Sequence, residues 1–140
     1  QLAQSPMYAP SVFNFFRPGY VPGNSRVGAF GLVNPEAQIT HETSVPGYLN
    51  FMRTTISTGV GTSSGGVRDI QPDYTAELAL AGNPDALVDR VVLLLTGSLS
   101  TTTRNRIRDA VATVAATDAR NRVNLAIFLV MASPEYIFQD

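Results

Sequence analysis

His41 is the single histidine of the chain; Glu42 follows it directly and Glu36 precedes it by five positions. An imidazole beside carboxylates is the residue set that general acid–base chemistry uses, and carboxylates can also hold a divalent cation. His41, Glu36 and Glu42 are therefore the candidate catalytic residues, for a metal-assisted or acid–base hydrolytic step. The spacing matches no metal motif: His41-Glu42 does not continue as HExxH, and one histidine cannot make a three-histidine site. Each also has a simpler use. Glu36 suits the positive end of a helix opening at Asn34-Pro35, Glu42 suits solvent or an arginine, and His41 suits a surface hydrogen bond. The structural use is the stronger reading for all three. Asp69, Asp73 and Glu77 form a second acidic region; a turn and a helix start explain it better than a cation site, because no EF-hand pattern is present. No GxSxG nucleophile elbow occurs either.

The second chemical constellation is aromatic. Asn14, Phe15, Phe16, Arg17 and Tyr20 lie within SVFNFFRPGY and are the candidate binding residues, with Phe13 and Val12 adding apolar area. Rings can make a ligand wall, including one for carbohydrate, and Arg17 can bind a carboxylate or phosphate. A cap over the hydrophobic core is the plainer expectation, with Arg17 turned to a protein acid or carbonyl. Pro18-Gly19 limits this segment to one short helical turn followed by irregular backbone.

Whatever these residues do, helices must position them. Asn83 to Thr96, NPDALVDRVVLLLT, carries a capping asparagine, proline at the first helical position and Asp85 in the first turn. Leu87, Val91 and Leu94 form its expected apolar stripe, widened by Val88, Val92 and Leu95, so this helix is expected at the centre with others enclosing it. Before it, the chain predicts the end of a helix over Gln1 to Gln4, a glycine-rich surface loop over Val21 to Val33, and a short helix from Asn34. Val45-Pro46-Gly47 is expected to bend the chain before a helix with Tyr48, Met52 and Ile56 on one face. GVGTSSGG, residues 59–66, has phosphate-loop composition but neither a Walker A nor a GxGxxG arrangement, and is read as a flexible internal loop. Asp73 is placed to cap a helix with Tyr74, Leu78 and Ala81 on a narrow apolar face, Glu77 at its edge. After Gly97, Ile107, Val111 and Val114 define another helix. Arg104 and Arg108, four apart, form a like-charge pair suited to solvent or an acidic partner. Thr117 or Asp118 begins the last long helix, with Val123, Ala126, Ile127 and Val130 inward. A short segment after Ser133-Pro134 is expected to pack its Tyr-Ile-Phe residues.

The fold class is thus mostly α: a compact multi-helix bundle with an irregular aromatic N-terminal segment and a Gly/Ser-rich loop. Its 140 residues, 44% hydrophobic, make one α-rich domain or the C-terminal portion of a larger one. Ten basic and eleven acidic residues give no basic footprint, so no nucleic acid is expected as a partner. Without cysteine there is no thiolate metal site; the cofactor is unknown, with a divalent metal on oxygen and nitrogen ligands only weakly supported by the sequence. No apolar run reaches the roughly 20 residues of a membrane-spanning helix. The chain opens on glutamine, and reads as a mature product or an excised portion.

SPMYAPSVFNFFRPGY, then NPEAQITHE from Asn34, then RVNLAIFLVMASPEYIFQ at the end resemble, in that order, the C-terminal portion of the bacterial DUF1800 family. The resemblance implies an α-rich piece of a longer bacterial protein, periplasmic, outer-envelope-associated or secreted, with the upstream portion of the same protein and a DUF1501-type protein as partners. It transfers no catalytic role: Asn14, Arg17, Glu36 and Glu42 fall in matching segments without becoming site residues. The resulting expectation is a structural or protein-interaction module, with a metal-assisted or acid–base hydrolase and a carbohydrate-binding module as the alternatives.

Overall fold

A computed structural model describes residues 4–5 and 7–137. Gln1, Leu2 and Ala3 of the expected N-terminal helix end and Phe138 of the C-terminal segment therefore lie outside the described residues, while Gln4 is exposed and not helical. The chain divides into two compact units, Gln1–Phe51 and Met52–Asp140.

The second unit contains the hydrophobic core. Helices α4 (Pro84–Leu95), α5 (Thr101–Ala112) and α6 (Ala119–Met131) pack on one another, α3 (Thr75–Leu80) packs on α4 and α6, and α7 (Pro134–Ile137) contacts α6. Each long helix starts where its sequence offers a side-chain cap. Asn83 Oδ1 accepts from the backbone N–H groups of Asp85 and Ala86, Ser100 Oγ from Thr103, and Asp118 Oδ1 from Asn121. Leu87, Val88 and Val91 of α4, Val111 of α5, and Val123, Ala126 and Val130 of α6 are essentially solvent-free and meet in one cluster. Each large side chain among them contributes about 1.5–3 kcal/mol by leaving water.

The central helix is not wholly enclosed. Leu94, expected on its core stripe, is 60% exposed, and Leu93 is 68% exposed. The buried set is Leu87, Val88, Val91 and Val92, two adjacent pairs one turn apart. Leu94 falls past the edge of that stripe. Ile127 and Val114 are half-buried rather than core. Ile137 is 51% exposed, so the packed C-terminal end expected from the sequence stops short of it.

Residues 61–66 are exposed, as expected of a Gly/Ser-rich stretch, but Gly59 is buried and the stretch is not an unstructured loop. Strand β1 (Val60–Ser64) pairs antiparallel with β2 (Val67–Ile70), with Val60 opposite Ile70 and Ser64 opposite Val67. Gly65 and Gly66 both have positive φ, the conformation a tight two-residue hairpin turn demands. Between Val60 and Ser63 the register shifts by one residue, a bulge where Gly61 takes φ +94°.

The first unit has little regular structure. It holds α1 (Arg26–Ala29), a 3-10 helix (Pro35–Ile39), and the start of α2 (Ser44–Thr58), which carries the chain into the second unit. Helix α1, inside the expected glycine-rich loop, is licensed by Ser25, whose Oγ accepts from the Gly28 N–H at 2.9 Å. Pro46 does not break α2, contrary to expectation. It sits in the first turn, where a helix leaves N–H groups without intrahelical partners and a missing one costs nothing.

Candidate functional site

The three acid–base candidates belong to the 3-10 helix and the turn after it. Asn34 Oδ1 accepts from the Ala37 N–H and places Glu36 in the first turn, exposed. The chain then turns through residues 40–43 under the control of Ser44, whose Oγ accepts from the His41 N–H at 2.9 Å and donates to the Ile39 carbonyl at 2.6 Å. His41 and Glu42 are both exposed, and the His41 ring Nδ1 lies 3.0 Å from Thr43 Oγ1. His41 thus occupies the local surface role that its isolation in sequence implied. No group of three His, Cys, Asp or Glu residues among the described ones has metal-holding geometry.

The five binding candidates are only partly gathered. Arg17 and Tyr20 line a shallow hollow of about 400 Å³ with Phe13, Pro18, Gly19 and Val21. Asn14, Phe15 and Phe16 do not line it. Asn14 instead holds a turn, bridged to Ser11 with φ +61°, a conformation asparagine tolerates better than most residues. Phe15 and Phe16 are half-buried, while the Arg17 backbone N–H donates to Gln38 Oε1 at 2.7 Å. Residues 11–16 form turns and an isolated bridge, not the expected helical turn. Nor do they act uniformly as a cap over a core: Phe13 is 56% and Val12 93% exposed. With Met7, Tyr8, Phe30, Leu32 and Val33 also exposed, the first unit presents large apolar side chains on its surface, and none of its described hydrophobic residues is in the buried core.

The second unit has two clefts. One, of about 450 Å³, is lined chiefly by apolar groups, among them Met52, Ile56, Ile70, Leu94 and Leu95. Tyr74 lines it too; its hydroxyl donates to the Ile56 carbonyl at 3.1 Å and its ring stacks under the Arg120 guanidinium at 4.7 Å. Burial pushes the Tyr74 hydroxyl pKa upward. The other cleft, of about 580 Å³, is bounded by Arg53, Ile56 and Ser57 of α2, Val114, and Asn121, Asn124, Leu125 and Phe128 of α6.

Charged groups of this unit serve its framework; Glu77 and Arg122 are used otherwise than the sequence indicates, while Arg104 and Arg108 take the acidic partner expected of them. Glu77, expected at the edge of its helix face, is buried and accepts from Arg90 Nε at 2.6 Å. Arg122, given no role in the sequence reading, is buried; its Nε donates to the Val114 carbonyl at 2.9 Å and its Nη1 to the Ala81 carbonyl at 2.8 Å. Arg104 is drawn out of solvent onto α4, bonding Asp89 at 2.8 Å and Asp85, with Arg108 also reaching Asp85. These carboxylates raise the Arg104 pKa, and Arg104 in turn lowers that of Asp85. A hydrophilic residue at an inward helical position was the available signal for Arg122, three residues after Ala119 and four before Ala126.

No curated protein and no solved structure matches the chain. The family model for DUF1800, protein of unknown function, matches residues 1–138. With nearly its whole length covered by that match, the chain belongs to the DUF1800 family.

Proposed function

We propose that this chain is a structural and protein-interaction module of a bacterial envelope or secreted protein, its first unit serving as the contact surface. The observation that carries the reading is the exposure of Tyr8 (80%), Phe13 (56%) and Phe30 (74%) in a unit whose described residues contribute no hydrophobic side chain to the buried core. Exposed aromatics in such density are what interfaces use: each supplies large apolar area with few rotors to immobilise. The partner is the upstream remainder of a longer protein, with a DUF1501-type protein as the second candidate.

The test is reconstitution of the 140-residue chain with each purified partner. A stable complex is expected with the upstream portion, weakened at least tenfold by Phe13→Ala together with Phe30→Ala while the helical spectrum stays unchanged. No complex with either partner, or a complex indifferent to both substitutions, would defeat the reading. The hydrolase reading has no comparable observation behind it, since Glu36, His41 and Glu42 are all exposed; the carbohydrate reading shares the exposed rings and predicts saturable sugar binding in place of a protein complex.

A further inference from the structure

Arg17 stands in the hollow of the first unit with no answering charge. It lines that hollow, about 400 Å³ in volume, with Phe13, Pro18, Gly19, Tyr20 and Val21. Its backbone is tied at both groups: the N–H donates to Gln38 Oε1 at 2.7 Å, and the carbonyl accepts from the Tyr20 N–H at 3.0 Å. Tyr20 is anchored in turn, its carbonyl accepting from the Asn34 N–H at 2.8 Å. The turn through Pro18-Gly19 that shapes the hollow is thus held at both ends before anything enters it. The guanidinium, expected to reach an acid or carbonyl of its own protein, bonds neither among the described residues. Glu36 and Glu42, the two acidic residues of this unit, make no ion pair with it. In the second unit, by contrast, Arg90, Arg104 and Arg108 are each paired with a carboxylate.

Phe13 joins this hollow to the proposed contact surface, and that continuity sets a condition on the partner. Whatever covers Phe13 also takes water from Arg17, which lines the same hollow. A guanidinium does not escape desolvation by losing its proton, because it stays charged throughout the working pH range. Covered without a counter-charge, it opposes the complex. Covered by a carboxylate, it makes two parallel N–H···O bonds, which add affinity and fix the partner's register. A backbone carbonyl answers one N–H and brings no charge. The rings of Phe13 and Tyr20 and the side chain of Val21 give apolar flanks for the methylene stem of an acidic residue.

We infer that the polypeptide partner of the first unit places an aspartate or glutamate side chain in this hollow, its carboxylate paired with Arg17. The inference rests on the reading of the first unit as a contact surface and names the partner's chemistry at one point of it. The test uses the complex of the 140-residue chain with the partner that binds it. Arg17→Gln is expected to weaken that complex about thirtyfold or more, and Arg17→Lys to restore it only in part. Neutralising the partner's acids one at a time, Asp→Asn or Glu→Gln, is expected to find one with a matching loss. Combining that change with Arg17→Gln should then add nothing further. On the unaltered chain, complex formation is expected to slow hydrogen exchange at the Arg17 Nε–H, a readout that decides alone if Arg17→Gln does not fold. Unchanged exchange there overturns the inference. So does a loss with Arg17→Gln that no acidic substitution matches, which would make carbonyls the acceptors. A complex that needs Phe13 and Phe30 but tolerates Arg17→Gln sinks this inference and spares the contact surface, whereas absence of any complex defeats both.

Discussion

Arg122 shows how much one side chain can hold together. It projects from α6 to the carbonyl of Ala81, at the C-terminal cap of α3, and to that of Val114, just beyond the end of α5. Carbonyls at helix ends lack intrahelical donors and carry partial negative charge, so a guanidinium there answers both needs. Arg122→Ala would leave two buried acceptors unsatisfied and is expected to destabilise the fold by about 2–4 kcal/mol in urea titration. Arg122→Lys should recover less than half of that, because a single ammonium lacks the planar fork that reaches two carbonyls on different helices. Glu135 makes a comparable tie from α7 to the start of α5: its carboxylate accepts from the Ser100 N–H at 2.7 Å, from Ser100 Oγ at 2.8 Å and from Thr103 Oγ1 at 2.7 Å. Those donors, the Ser100 backbone first, hold the Glu135 pKa below its ordinary 4.5. The folded state therefore releases this proton at lower pH than the unfolded chain does. The resulting stabilisation is complete above about pH 4.5 and disappears as pH falls through the lower folded value. Thermal melts should show Glu135→Gln less stable than the unaltered chain near neutral pH, with the gap closing toward about pH 3. A gap that stays constant would mean that the carboxylate's charge is not what the contact uses.

The helices were readable where a cap and an apolar period coincide. Asn83-Pro84-Asp85 and Asp118 announce two starts, Ser100 caps the third helix without standing out as a cap in the sequence, and the three helices make the core. Hydrophobic pattern alone does not say where the buried stripe ends, which is why Leu94 was assigned inward and lies outward. Glu77 and Arg122 escaped because a charged residue reads as surface until its partner is known, and those partners lie thirteen and forty-one positions away. The hairpin escaped for another reason: its strands are short and largely exposed, and the glycines and serines of residues 59–66 read as a loop, so only Gly65-Gly66 signals the turn. Its glycines are not equivalent. Gly59 has φ +79°, and a Cβ there would stand 2.1 Å from the Ile70 carbonyl oxygen; Gly65 has φ +58° with nothing near. Gly65→Ala should cost about 1 kcal/mol, from backbone strain alone. Gly59→Ala adds a clash with rigid backbone and should cost at least about 2 kcal/mol, with the β1–β2 amide resonances displaced. Comparable chemical denaturation curves for the two variants would show that the hairpin yields easily at its base.

Taken whole, the molecule distributes its stability unevenly. Among the described residues the buried aliphatic side chains all lie at or beyond Ile56, so the apolar burial seen to offset conformational entropy belongs to the second unit. The first unit is held instead by turns, two short helical pieces and local side-chain bonds such as those of Ser25, Asn34 and Ser44. Local bonds of this kind each contribute about 1 kcal/mol and do not sum to a cooperative core. Native-state hydrogen exchange should therefore separate the two. Amides of α4, α5 and α6 are expected to exchange only through global unfolding, tracking the stability measured by denaturant. Amides of residues 20–40 are expected to exchange through local openings at least 2 kcal/mol easier, as roughly thirtyfold faster rates under matched conditions. The same measurement bears on the proposed contact surface. A partner that covers Tyr8, Phe13 and Phe30 supplies the apolar burial this unit lacks, and should slow exchange across residues 20–40 far more than across the bundle. Uniform protection of both units in the isolated chain would place an unseen source of stability in the first, and would remove the physical reason for it to seek a partner.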